Sequence, residues 1–184
     1  RQEDSLRRVS AANIKPQDTV TARIDSLKRD SAVRVSTAGD FTTAANGTEQ
    51  LLSVENKVMK ITFTSKGARI KSVELKNYKS AVNGKPVILS EKDQLGYSVN
   101  TSANQSSQTT NLFFTALPPV LQADGTQVIG FTLTASGGQQ ITHQYIIKPD
   151  AYMIDWNLGI TGADKLLSQG VLNVQWKAET FQLE

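Results

Sequence analysis

The chain has 184 residues, 39% of them hydrophobic, and a formal net charge of +3 at pH 7. This length allows one domain with a substantial core, and the lack of cysteine in the sequence excludes disulfides, thiolate chemistry and cysteine-bound metals. A single histidine, His143, excludes metal sites built from several histidines, and since no run of about 18 apolar residues occurs, the chain as given is expected to be soluble.

Residues 1–50 form a polar tail in which large apolar side chains are scarce. Such a composition buries too little apolar surface to offset the entropy of ordering, which predicts a flexible linker. The charge surplus lies in the first 34 residues, where eight basic residues outnumber five acidic ones. Because no aromatic residue precedes Phe41, this stretch does not resemble a nucleic-acid surface, and no nucleic-acid partner is expected. The alternative is a segment attracted to anionic lipid.

One short helix is predicted inside the tail, from Asp18 to Asp30. Its apolar residues recur at i, i+4 and i+7 and are Val20, Ile24 and Leu27. Residues 41–50 are predicted to be a connector between the tail and the first strand.

The stretch from Leu51 to Lys79 predicts two strands joined by a tight turn. In the first strand Met59, Ile61 and Phe63 alternate with polar residues, which is typical of a strand with one buried face. Residues 65–68 turn the chain, and the apolar series then restarts with a slip of one residue. A bulge near Lys71-Ser72 would accommodate that slip.

The rest of the chain predicts further strands. Residues 100–111 are almost all polar and uncharged, which predicts a loop that bulges from the edge of the domain. Gln127–Ala135 and Gln140–Ile147 alternate as two strands around a two-residue hairpin turn at Gly137-Gly138. Alternation predicts two more strands, Tyr152–Ile160 and Leu172–Trp176. Such a succession predicts an all-β antiparallel sandwich.

Four of these segments occur in an order and spacing that a known family shares. They are Thr64–Arg69, Ser72–Tyr78, Lys85–Leu89 and Ile141–Tyr152, and the likeness covers the chain from Leu51 to Lys177. In this respect the chain resembles the N-terminal part of the periplasmic domain of the YidC/Oxa family of bacterial inner-membrane protein insertases.

The resemblance implies a β-supersandwich similar to galactose mutarotase. Residues 1–50 would be a linker that follows a removed membrane span, and residues 51–184 a periplasmic domain truncated at its C-terminal side. The resemblance also implies a non-catalytic domain that assists insertion and folding of inner-membrane proteins. Its expected partners are accessory subunits of the Sec translocon and membrane-protein clients, on the periplasmic side of the inner membrane.

The candidate binding residues are aromatic: Tyr145, Tyr152, Trp156 and Trp176. They could form a platform for a sugar ring or a peptide, although alternating aromatic residues on neighbouring strands more often belong to a core. His143 lies in mid-strand and is expected to be a packed or rim histidine, and no catalytic, cofactor-binding or metal-binding residue is predicted.

Two other functions remain open at this point. One is a carbohydrate-binding or sugar-epimerising β-sandwich, and the other is a structural envelope domain that spaces its membrane anchor from partners. Unpaired strand edges also predict β-augmentation by an extended partner segment, or an edge-mediated homodimer.

Overall fold

The computed structural model of the protein describes residues 16–89, 93–102 and 104–178, without the side chains of residues 16–22 and 34. Residues 1–15 of the predicted flexible tail and the side chain of Val20 therefore lie outside the described residues. The chain divides into two compact units, residues 1–33 and 34–184.

Helix α1 (Pro16–Ala38) accounts for the described part of the first unit. Its side chains from Arg23 to Val33 are exposed apart from the half-buried Ser31. The predicted short helix is part of this longer one, because no proline or glycine interrupts the sequence between Pro16 and Gly39. Gly39 has a φ of +46°, in the left-handed region that ends many helices. Within the described ranges, no helix is long and apolar enough to cross a membrane.

The second unit contains three antiparallel sheets. The first consists, in order, of β1 (Leu51–Glu55), β2 (Met59–Thr64), β3 (Arg69–Lys79) and β4 (Pro86–Leu89). The second consists of β5 (Gln94–Ser102), β6 (Gln105–Gln108) and β12 (Val174–Lys177), with β5 in the middle. The third consists of β7 (Thr115–Ala116), β8 (Val120–Leu121), β9 (Gln127–Thr134), β10 (Gln140–Ile147) and β11 (Ile154–Thr161). Its order is β11-β10-β9-β7, and β8 also pairs with β9.

One hydrophobic core receives side chains from all three sheets. Its members alternate along the strands and include Ile61, Phe63, Tyr97, Val99, Ile129, Phe131, Ile141 and Tyr145. The 3-10 turn Gly39–Phe41 and the short helix α2 (Thr42–Ala45) lie between α1 and β1. The 3-10 turn Thr109–Asn111, the short helix α3 (Ala163–Leu166) and the 3-10 turn Ser168–Gly170 lie in connections between sheets. The predicted all-β antiparallel sandwich is confirmed.

The predicted bulge in β3 is confirmed. Thr62 pairs with Ser72 and Phe63 pairs with Ile70, so that Lys71 is the extra residue. The bulge restores the inward direction of the apolar residues on both sides of it.

The polar segment 100–111 was expected to be a protruding loop, and this expectation is wrong. The segment forms the end of β5, then β6 and a 3-10 turn. Thr101 and Thr109 are buried, because the Thr101 hydroxyl donates to the Thr37 carbonyl oxygen at 2.6 Å and the Thr109 hydroxyl accepts from the Tyr97 backbone N–H at 3.1 Å. Partners for their hydroxyl groups allow these side chains to be buried.

The hairpin between β9 and β10 has a three-residue loop instead of the predicted two-residue turn. The Ala135 backbone N–H still donates to the Gln139 carbonyl oxygen at 2.8 Å, which leaves Ser136, Gly137 and Gly138 as the loop. Gly138 has a φ of +84°, which is typical of three-residue hairpins with a left-handed residue.

Three predicted boundaries also differ from the structure. The strand predicted from Tyr152 begins at Ile154, and the strand predicted from Leu172 begins at Val174. The predicted connector 41–50 instead contains α2 and contributes to the core, because short helical turns direct Phe41 and Ala45 inward. The assignment of residues 1–50 to a linker after a membrane span stays a prediction.

Candidate functional site

A cluster of polar groups lies inside the core. The Tyr97 hydroxyl donates a hydrogen bond to His143 Nε2 at 2.7 Å. His143 Nδ1 and the Tyr145 hydroxyl both donate to the carbonyl oxygen of Ala68, at 2.9 and 2.7 Å. All four residues are buried. The cluster therefore joins β5 and β10 to the turn between β2 and β3.

Strand alternation and one turn place these groups. Tyr97 occupies a buried position of β5, and His143 and Tyr145, two residues apart, share the buried face of β10. Ala68 has a φ of +49° and follows Gly67, whose φ is +76°. This left-handed turn brings the Ala68 carbonyl oxygen within reach of both donors from β10.

Burial determines the protonation of the cluster. Loss of solvent lowers the pKa of His143 from its ordinary value of 6.5 to about 4, and the hydrogen bond to Ala68 opposes this shift only in part. Burial also raises the pKa of Tyr97 and of Tyr145. At neutral pH the imidazole is uncharged, and because the Ala68 carbonyl can only accept, the proton lies on Nδ1.

The cluster is built for packing rather than proton transfer. Both ring nitrogens of His143 have protein partners, and its pKa lies far from neutrality. The prediction that His143 is a packed histidine is confirmed. Among the described residues, no group of three or more His, Asp or Glu side chains could hold a metal ion.

The four aromatic candidates do not lie on one surface. Tyr145 and Trp156 are opposite each other on β10 and β11, with their rings stacked at 6.5 Å, and both pack in or against the core. Tyr152 lies in the turn before β11, where its ring contacts that of Tyr78 at 5.9 Å. Trp176, on β12, is 73% exposed. At most two of the four aromatic residues could therefore share a binding platform. The binding role of these residues stays a prediction.

A cavity of about 350 Å³ lies away from these aromatic residues. Its polar lining includes Asp40, Asn100, Ser102, Gln139 and Lys165. The Gln139 side chain is buried, and its amide oxygen has no hydrogen-bond partner among the described residues. Carboxylate, ammonium, amide and hydroxyl groups in one cavity can bind a small ligand with several hydroxyl groups.

Sequence reasoning missed this cavity entirely. Its polar residues come from four separate segments, so no spacing along the chain indicates that they meet. Gly162 is a weak signal of this cavity in the sequence, because a Cβ atom there would lie 2.9 Å from Gln139 Cγ. That glycine is needed for space next to the Gln139 side chain as well as for its own φ of +74°.

The fold and the polar cluster define an antiparallel β-sandwich domain whose buried tyrosines and histidine hold the sheets together. The family model described as the YidC periplasmic domain matches residues 51–182. The chain therefore belongs to the family of YidC periplasmic domains, as the resemblance of its ordered segments indicated.

Curated relatives carry the same name. The chain is 33% identical over 147 residues to the membrane protein insertase YidC of Phocaeicola vulgatus, a match that covers 78% of this chain and 23% of that protein. It is 29% identical over 171 residues to the protein of the same name from Chlorobium limicola, with 88% and 29% covered. The chain thus spans about a quarter of the length of the curated relatives it matches. No solved structure matches it.

Proposed function

We propose that this domain is a non-catalytic part of a membrane protein insertase, and that it assists insertion and folding of inner-membrane proteins. The observation that carries the proposal is the family match over residues 51–182. The domain would lie on the periplasmic side of the inner membrane, with residues 1–50 as a linker after a membrane span. Residues 51–184 would be the first part of a larger β-supersandwich.

We further propose that the domain contacts accessory subunits of the Sec translocon or client segments through strand addition at β11. This strand pairs with β10 over all eight of its residues, and its other side has no partner strand in the described part of the chain. A long regular edge of this kind can pair with an extended segment through backbone hydrogen bonds. A second copy of the chain is the alternative occupant.

Photo-crosslinking in cells that produce the whole parent protein tests this proposal. A photoreactive residue replaces Asn157, which is exposed on β11, and a matched control replaces Lys60, which is exposed on β2 between two partner strands. We expect Sec accessory subunits or membrane-protein clients in the products from position 157 and not from position 60. Products that contain only a second copy would support the homodimer. The absence of any product from position 157 would favour a structural spacer.

The second candidate function is carbohydrate binding, and the polar cavity favours it over the dispersed aromatic set. Calorimetric titration of mono- and oligosaccharides tests it, with Asp40→Asn as the variant and the exposed Asp155→Asn as the control. Saturable heat that is lost only in the Asp40 variant would support a sugar site. A flat titration of the unaltered chain would exclude these sugars as ligands.

A further inference from the structure

Four turns lie at one end of the second unit, and Asn56 ties two of them together. The Asn56 side-chain amide donates to the carbonyl oxygens of Lys148 and Ala151, both at 2.8 Å. Its side-chain oxygen accepts from the backbone N–H groups of Val58 and Met59, at 3.0 and 2.8 Å. The turn between β1 and β2 is thereby fixed to the turn between β10 and β11.

The other two turns join the same end. β3 extends beyond the start of β2, since Leu75 is the last β3 residue paired with that strand, and this places the β3–β4 hairpin next to Tyr152. The turn between β8 and β9 contains Gly125, where a Cβ atom would lie 3.5 Å from Pro149. We call these turns with their adjoining strand ends, residues 56–58, 76–85, 120–126 and 148–153, together the Asn56 end.

The Asn56 end carries large apolar side chains in water. Six of them are between 44% and 76% exposed: Tyr78, Val82, Val120, Leu121, Tyr152 and Met153. They come from three different turns and project from a scaffold that hydrogen bonds hold in place. Because these exposed side chains come from separate turns, they offer several insertion points rather than one groove for a helix or a peptide.

The same end has an excess of positive charge. Its exposed lysines are Lys57, Lys79, Lys85 and Lys148, and its exposed acids are Asp124 and Asp150. A further pair, Lys76 and Glu55, is neutralised by an ion pair of 2.9 Å. From residue 51 onward the sequence contains 12 basic and 10 acidic residues, a surplus of two that equals the surplus of exposed lysines over exposed acids at this end.

We propose that the Asn56 end docks on the surface of an anionic lipid bilayer. Tyrosine rings are favourable at the boundary between headgroups and acyl chains, and Leu121 and Met153 would insert beyond that boundary. Lysines around the apolar side chains are attracted to anionic headgroups, within roughly one Debye length of the surface. The proposal goes beyond the insertase-related function, because it concerns lipid rather than translocon subunits or clients.

Vesicle sedimentation with the 184-residue chain tests this inference. The vesicles contain phosphatidylcholine alone or phosphatidylcholine with about one third phosphatidylglycerol. We expect binding to the anionic vesicles only, and weaker binding as salt is raised. The double substitution Leu121→Ser with Met153→Ser is expected to lower the partition coefficient about tenfold. Its matched control, Val171→Ser with Val174→Ser, alters exposed apolar residues elsewhere on the domain.

A second pair of variants tests the role of charge. Lys57→Gln with Lys148→Gln removes two lysines of the Asn56 end, and an about tenfold loss of binding is expected. Lys28→Gln with Lys177→Gln removes the same net charge from exposed positions outside the Asn56 end and is expected to retain binding. All these positions are exposed, so unchanged thermal unfolding will show that the variants fold.

Three outcomes would overturn the inference. The first is the absence of binding to anionic vesicles. The second is equal loss in the Asn56-end variants and in their controls, which would indicate general charge attraction. The third is binding that is unaffected by either Asn56-end variant, which would assign lipid binding to another part of the chain, such as the basic residues before position 35.

Discussion

His143 is expected to make the stability of the domain depend on pH, and the chain has no other histidine to obscure the effect. Burial lowers its pKa from 6.5 to about 4 in the folded state, whereas solvent restores the ordinary value on unfolding. Between these two pKa values the unfolded chain binds more protons than the folded chain. The free energy of unfolding therefore falls as the pH falls through this window, and His143 contributes no further loss below the folded pKa.

The magnitude follows from the two pKa values. Lowering the pH from about 7.5 to about 4.5 is expected to reduce the free energy of unfolding by about 2–3 kcal/mol through His143 alone. Urea unfolding at several pH values measures this loss. Carboxyl groups with lowered pKa values, such as those of Glu49 and Asp124, destabilise the fold in the same direction at low pH. The substitution His143→Leu keeps those carboxyl groups, so the difference between the two proteins isolates the histidine.

Two results would refute this reasoning. One is the same dependence of stability on pH in the unaltered chain and in the His143→Leu variant. The other comes from the unaltered chain alone and does not require the variant to fold. It is an NMR titration of the folded chain in which the chemical shifts of the His143 ring protons change with a midpoint near pH 6.5. Either result would mean that the buried imidazole is readily protonated in the core.

Three further predictions concern single side chains. Asn56→Ala removes four hydrogen bonds and should lower the free energy of unfolding by about 2–4 kcal/mol in urea unfolding. Asn56→Asp should lose at least as much at neutral pH, because its buried carboxylate would face the carbonyl oxygens of Lys148 and Ala151. Gly47→Ala places a Cβ 2.4 Å from Phe113 Cβ and should lower the melting temperature by several degrees, whereas Gly159→Ala, with its nearest atom at 3.8 Å, should not. Trp176→Ser should change stability by less than about 0.5 kcal/mol, because the side chain is largely exposed; a greater loss would show that it is packed in solution.

Local sequence patterns contain much of the fold. The alternation around Ile61 and around Tyr145 predicted strands whose inner residues are buried, and the slip of one apolar residue predicted the bulge at Lys71. These features depend on neighbours in the chain, since a strand exposes alternate residues to opposite faces wherever it lies. The order of the segments between Leu51 and Lys177 also indicated the family. The match of the family model over residues 51–182 confirms this family assignment.

The polar segment and the aromatic candidates show where local patterns fail. Thr101 and Thr109 are buried because Thr37 and Tyr97, distant in the sequence, supply hydrogen-bond partners for their hydroxyl groups. An apolar position on a strand does not reveal whether another layer covers it, and Trp176 is exposed for this reason although it alternates like a core residue.

The sequence by itself determined the strand pattern, the sandwich class and the family, because these are properties of local periodicity and of the order of segments. Only the tertiary structure decided which groups meet. It brings Tyr97, His143 and Tyr145 to the carbonyl of Ala68, lines a polar cavity with residues from four segments, and places the turns around Asn56 at one end. The physical reason is that burial and hydrogen bonding act between atoms close in space, whatever their separation along the chain.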